Sequence, residues 1–321
     1  MNGLVRFTFT LLLIGILAGC AAPTQILPTP TATLPSPTAT LPLPTPMPKP
    51  TRTQFVNPLI YDIPEMYQVN IETVQYHTLN DPSLTLPMDI YYPPNRQADQ
   101  PLPAVILPNT WQRSGKWYLE NEHELLVLFE GWGRIIAANG LIAVTYDTLY
   151  PNDLEAVVRH IQQNSTEYGI DGNQLGLFAG SAGTVLEGSF AYQENREYIK
   201  FAVFYYGSVI MPDSPGRQDW DVFCIELGCY SAELPEIKQL RTNLPILLVR
   251  CVGGESEIDL ADIDYFIQLA TEQKVPLTLI RFDEGSHAFD LKVNSFGDVK
   301  TKGIEIVKQT IEFMKSNAFA P

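Results

Sequence analysis

Short apolar runs recur along the chain at Ala104–Leu107, Leu141–Tyr146, Leu175–Ala179, Phe201–Tyr206, Ile246–Cys251 and Leu277–Phe282. Each run is continuous rather than alternating, as in strands buried on both faces of a parallel sheet. Between them the apolar positions take helical spacing, at Glu122–Asn139, Asp153–Gln163, Gly183–Tyr192, Asp259–Thr271 and Gly303–Lys315. Ahead of the series, Gln68–His77 and Leu84–Tyr92 read as an antiparallel opening pair, closed by Pro93-Pro94. This alternation predicts an α/β fold, a doubly wound and mostly parallel sheet with helices on both faces. Ligands in such sheets bind beyond the carboxyl ends of the strands. Chemistry is therefore expected just after each apolar run.

The first fifty residues follow a different pattern. Arg6 is the one charge before Cys20, and Phe7–Leu17 is a mostly apolar run. That run is shorter than the ~20 residues a spanning helix needs, which predicts a signal peptide over residues 1–19. Leu17-Ala18-Gly19-Cys20 resembles the bacterial lipobox, which implies lipidation of Cys20 and an extracytoplasmic, membrane-anchored chain. Ten of the 26 prolines fall between Ala21 and Arg52. A run so rich in a residue that fixes φ and lacks an N–H stays extended and solvated. At ~3.1 Å per residue it could reach on the order of 100 Å. Residues 20–54 therefore read as a tether, and residues 55–321 as one folded domain.

Composition narrows the partners. The hydrophobic content of 45% is that of a chain able to bury a core. The formal charge is −15, and residues 1–52 hold three basic residues and no acidic one, so the remainder carries −18. So acidic a surface repels phosphate backbones and argues against nucleic-acid binding. Cys224 and Cys229 lie five positions apart in a polar stretch, which suits a local disulfide in an oxidising compartment better than a zinc site, since histidines are missing nearby. Cys251, inside an apolar run, reads as a core residue.

One strand end carries a distinctive motif. Leu175–Phe178 leads into Ala179-Gly180-Ser181-Ala182-Gly183 and then a helix. A serine between small residues on a sharp strand-to-helix turn presents its Oγ as a nucleophile. The backbone N–H of Ala182, at the helix start, then faces a developing oxyanion. The usual pattern has glycine at the first position, where this chain has Ala179.

A serine nucleophile needs a base, and the sequence has four histidines. His77, His123 and His160 read as surface or hinge residues. His287 follows the last apolar run in Glu284-Gly285-Ser286-His287-Ala288-Phe289-Asp290, where a base is expected in the chain order serine, acid, histidine. The acid is expected after Ile246–Cys251, in Val252-Gly253-Gly254-Glu255-Ser256-Glu257-Ile258-Asp259. Glu255 leads because it follows a Gly-Gly turn close to the strand end. Asp259 is held in reserve, since it suits the N-cap of the next helix, and Glu257 reads as solvated.

With these residues the domain resembles the α/β-hydrolase superfamily, and within it the dienelactone-hydrolase-like esterases. Trp132-Gly133-Arg134, Tyr168-Gly169-Ile170-Asp171, Tyr205-Tyr206-Gly207 and His287-Ala288-Phe289-Asp290 carry the resemblance beside the serine motif. It implies hydrolysis of a small-molecule ester through an acyl-enzyme, with neither metal nor organic cofactor. Two departures stand out. Dienelactone hydrolases use cysteine where this chain has Ser181. Many relatives also carry His-Gly after the third strand, where this chain has Pro108-Asn109-Thr110-Trp111. Oxyanion donors are then expected from Ala182, Asn109 and Thr110 or Trp111. Trp111, Trp117 and Tyr118 are candidates to wall an apolar pocket, and the insertion from Ser208 to Pro235 is a candidate cover. A serine peptidase on the same fold and a non-catalytic binding lipoprotein are the alternatives.

Overall fold

Two antiparallel strands open the domain, β1 (Asn70–His77) and β2 (Thr85–Tyr92), in register from Asn70 opposite Tyr92 to His77 opposite Thr85. β2 then pairs antiparallel with β4 (Ile142–Thr148). The rest of the sheet is parallel: β3 (Leu102–Trp111), β4, β5 (Ile170–Gly180), β6 (Ile199–Tyr205), β7 (Ile246–Gly253) and β8 (Leu277–Ser286). The eight strands lie in the order β1-β2-β4-β3-β5-β6-β7-β8. The computed structural model describes residues 55–97, 100–111, 128–150, 152–193, 195–207, 209, 213–217 and 239–319. Cys20, the proline-rich tether, His123, Trp117, Tyr118, Cys224, Cys229 and most of the Ser208–Pro235 insertion lie outside them. Among the described residues no helix is long and apolar enough to cross a membrane.

The continuous apolar runs in the middle of the sheet correspond to strands covered on both faces, while the edge strand β8 is only partly buried. Every residue of β4 is buried, and β6 is buried except at Lys200. One core layer joins Ile106, Val144, Leu177 and Leu248 to Val157, Phe190 and Phe266. The other joins Val105, Ala143, Phe178 and Val249 to Trp132, Ile136, Val307 and Met314. Adjacent positions such as Val105 and Ile106 fall in opposite layers because side chains alternate across a strand.

The helices supply the outer layers. α1 (residues 128–138) and α6 (Gly297–Ala318) cover one face, and α2 (Asp153–Gln163) and α5 (Glu257–Glu272) the other. A single turn, α3 (Ser165–Tyr168), precedes β5, and α4 (Gly183–Ala191) follows it. α6 begins six residues before the periodicity predicts. Its first turns are largely exposed, so no apolar repeat marks them. The opening strand is also shorter than expected, because Pro64–Gln68 forms a 3-10 turn ahead of it.

Candidate active site

The carboxyl ends of β5, β7 and β8 bring three side chains together. Ser181 leaves β5 with φ 55°, a left-handed value that costs a non-glycine residue roughly 1–3 kcal/mol. Several bonds hold it there. Its N–H donates to Tyr205 O (3.0 Å), and its carbonyl accepts from the Thr184 N–H (3.1 Å) and hydroxyl (2.7 Å). Small neighbours are required by contact. A Cβ on Gly207 would stand 2.3 Å from Ser181 O, and one on Gly180 would stand 2.9 Å from the Tyr206 ring. Ala179, where the usual motif has glycine, is fully buried.

His287 follows β8 directly. Its N–H donates to Gly253 O on the neighbouring strand (2.6 Å), which sets the loop. Nε2 lies 3.0 Å from Ser181 Oγ, and Nδ1 lies 2.7 Å from Glu255 Oε1. An ionised carboxylate only accepts, so Nδ1 carries the proton and Nε2 presents its lone pair to the serine. The Glu255 side chain is 5% exposed and that of His287 39%. Gly254, at φ +85°, makes the turn that aims Glu255 back at the imidazole, and a Glu255 N–H···O=C Val252 bond of 3.3 Å closes it.

Asp259, the reserve acid, does other work. Ser256 caps α5: its hydroxyl accepts from Asp259 N–H (3.1 Å), while Asp259 Oδ2 accepts from Ser256 N–H (3.3 Å) and Oγ (2.6 Å). The aspartate is thus the third helical residue, closing a capping box, rather than the N-cap itself. Its spacing after a serine is the sequence signal for that role.

Of the expected oxyanion donors, Ala182 directly follows the serine. Ala182 stands at the N-terminus of α4, where the first N–H groups have no intrahelical acceptor. The end of β3 lies alongside, since a Cβ on Gly183 would meet Pro108 at 3.2 Å. Asn109 is buried and commits one amide hydrogen to Asp147 Oδ1 at 3.1 Å, tying β3 to β4. The pairing of β3 with β4 shifts between Asn109 and Trp111, so the register skips Thr110. A bulge of this kind leaves its extra residue out of the ladder, which favours the Thr110 backbone over the Asn109 side chain as a donor.

Of the other histidines, His77 holds a turn through Pro82 O (2.9 Å), and His160 bonds and stacks on Tyr168 (2.9 Å). Cys251 is a free, buried thiol, pushed up by burial and by the neighbouring Glu255 and Asp290 carboxyls. Among the described residues no cluster of three or more acidic, histidine or cysteine side chains could hold a metal ion.

Among the buried acids that sequence reasoning missed, two stand out. Asp290 is fully buried beneath the His287 loop, where Trp132 and Tyr206 donate to it. All three residues fall in segments that carry the family resemblance, and that was the available signal. Glu187, on α4, is also fully buried. Nothing in the sequence distinguishes it from a solvated helix position.

Strand order, helix placement and a serine turn after β5 define the α/β-hydrolase fold, and the chain has it. No family model and no curated protein matches the chain. Solved structures do. Esterase Est2 of the planctomycete Thermogutta terrifontis is 17% identical, with a TM-score of 0.57 over 80% of this chain and 96% of its own. Esterase LipW of Mycobacterium marinum is 16% identical, with a TM-score of 0.56 over 79% and 83%. The Pyrobaculum calidifontis esterase is 18% identical, with a TM-score of 0.53 over 78% and 86%.

Proposed function

We propose that the protein is a serine hydrolase that cleaves carboxylic esters through an acyl-enzyme. The hydrogen-bonded series Ser181–His287–Glu255 carries this reading, and the esterase neighbours agree with it. Ser181 Oγ attacks the ester carbonyl carbon while His287 Nε2 takes its proton, and Glu255 stabilises the imidazolium. The oxyanion of the tetrahedral intermediate is held by the N–H groups of Ala182 and Thr110. Collapse breaks the bond to the alcohol, which leaves with the proton from His287. Water, deprotonated by His287, then attacks the acyl carbon, and Ser181 regains its proton as the carboxylic acid departs.

The test uses the purified chain, a fluorophosphonate serine probe, p-nitrophenyl acetate and peptide anilides. Probe labelling at Ser181 with ester cleavage is expected. A folded chain that neither labels nor cleaves overturns the enzyme reading in favour of a binding lipoprotein. Cleavage of anilides in preference to the ester points to a peptidase.

The same proposal places the hydrolase on the outer face of a membrane through lipidated Cys20, as the lipobox-like segment suggests. Cys20→Ser is expected to move the protein from the membrane fraction to the soluble one. Unchanged fractionation removes the anchor from the proposal.

A further inference from the structure

Three residues beyond His287, the chain buries a second carboxylate that hydrolysis as outlined does not use. Asp290 is 0% exposed, and both its oxygens accept: Oδ2 from Trp132 Nε1 at 2.6 Å and Oδ1 from Tyr206 Oη at 2.9 Å. An indole N–H can only donate, so Oδ2 must be an acceptor. Burial pushes the Asp290 carboxyl above its ordinary value, and the two donors and the nearby His287 offset part of that rise.

The residue that Asp290 holds touches His287 and the glycine that precedes Ser181. The Tyr206 ring lies 4.8 Å from the His287 ring, centroid to centroid. Its edge packs over Gly180, the residue before the nucleophile, with no room for a Cβ. Tyr206 sits at φ 35°, strained for an aromatic residue, and its N–H donates to Val249 O at 3.1 Å. The chain returns beneath His287 because Ala288 is also left-handed, at φ 54°. Trp132, the other donor, is 1% exposed and packs 4.3 Å from Phe178 on β5.

We propose that Asp290 is a positioning residue for the general base. Through Tyr206 it sets the gap between Ser181 and His287, and its charge favours the imidazolium that forms when His287 takes the serine proton. This rests on the serine-hydrolase reading for its consequence in turnover, but the electrostatic part is measurable without it. Among the described residues, the other ionisable groups around the base are Glu255 and Cys251 from β7 and its loop, Tyr205 at the end of β6 and Tyr206 just after it. Cys251, Tyr205 and Tyr206 are held neutral by burial. Arg250 is paired with Asp264 and Asp283 and points to the opposite side of the sheet from Cys251.

Asp290→Asn tests the charge with little change of shape. Its amide oxygen accepts from Trp132 and its NH2 donates to the Tyr206 oxygen. Removing the negative charge disfavours the protonated ring. The acid limb of kcat/KM for p-nitrophenyl acetate is therefore expected to move to lower pH by roughly half a unit to one unit. The His287 ring is expected to titrate at correspondingly lower pH in NMR of the histidine-labelled chain, whether or not the protein turns over. A purely structural role would leave both unmoved, and that result overturns the electrostatic half. Tyr206→Phe keeps the carboxylate and releases the ring. It is expected to lower kcat per labelled active site about tenfold with KM unchanged. An unchanged kcat overturns the positional half, and this variant decides that half even if Asp290→Asn fails to fold. Absent labelling of the wild type, with a shifted NMR titration, would refute the hydrolase reading and leave the electrostatic coupling standing.

Discussion

Ser181→Ala is expected to lower kcat by about 10⁵–10⁶-fold while leaving the fold intact, and Ser181→Ala with His287→Ala is expected to cost no more than either alone. The reason lies in the hydrogen-bonded series. Without Oγ, His287 has no proton to take, and without an acceptor at Nε2, Oγ remains a neutral hydroxyl of little nucleophilicity. Two groups that act as one unit are lost together, so their free energies do not add. Glu255→Gln keeps the shape but offers Nδ1 an amide that can turn its NH2 towards the ring and favour the wrong tautomer. A loss of about 10⁴-fold is expected. Asp259→Asn, which affects the α5 cap, is expected to leave kcat near the wild-type value. Kinetics on each variant, with folded protein verified by circular dichroism, check the series. Additive losses at Ser181 and His287 would show that the two do not act on one proton.

Glu187→Leu is expected to stabilise the protein at alkaline pH. Glu187 is 0% exposed on α4, six residues beyond Ser181, and neither of its carboxyl oxygens has a hydrogen-bond partner. The hydroxyl of Tyr146, which lies near Glu187 and Asp153, and one oxygen of Asp153 are likewise unpartnered. Desolvation therefore pushes the Glu187 carboxyl well above its ordinary value and keeps it protonated in the fold. In the unfolded chain a glutamate gives up its proton near pH 4.3. Above that pH the folded state holds a proton the unfolded state has lost, so stability falls as pH rises until the folded carboxyl itself ionises. Leucine removes both the proton linkage and the unpaired polar group. At pH 8 a gain of about 2 kcal/mol is expected, or roughly 4–8 °C in Tm. Melting from pH 5 to 9 checks it: the difference between variant and wild type should widen with pH. A constant difference, or a variant that melts lower throughout, would refute the linkage. Asp153 and Asp290 are also raised by burial, and they remain in both proteins. The difference therefore isolates Glu187.

The central parallel strands could be read from the chain because they are covered on both faces, so burial alone writes a continuous apolar run. Ser181 could be read because a left-handed turn between close-packed elements excludes bulky neighbours, and that exclusion leaves a local run of small residues. Chain order and strand ends pointed to His287 and to a loop in which Glu255 led and Asp259 was held in reserve. What the chain could not show was which carboxylate reaches the imidazole. Glu255 and Asp259 stand four residues apart, and the choice depends on the turn at Gly254 and on a capping box that occupies Asp259. Nor could it show the buried acids. Glu187 and Asp290 look like ordinary acidic positions until the folded chain sets α4 against the core and lays Trp132 and Tyr206, 158 and 84 residues away, onto Asp290. Local sterics and burial repeat along the sequence and so leave a pattern in it. Contacts between distant segments leave none, and they come into being only when the sheet closes.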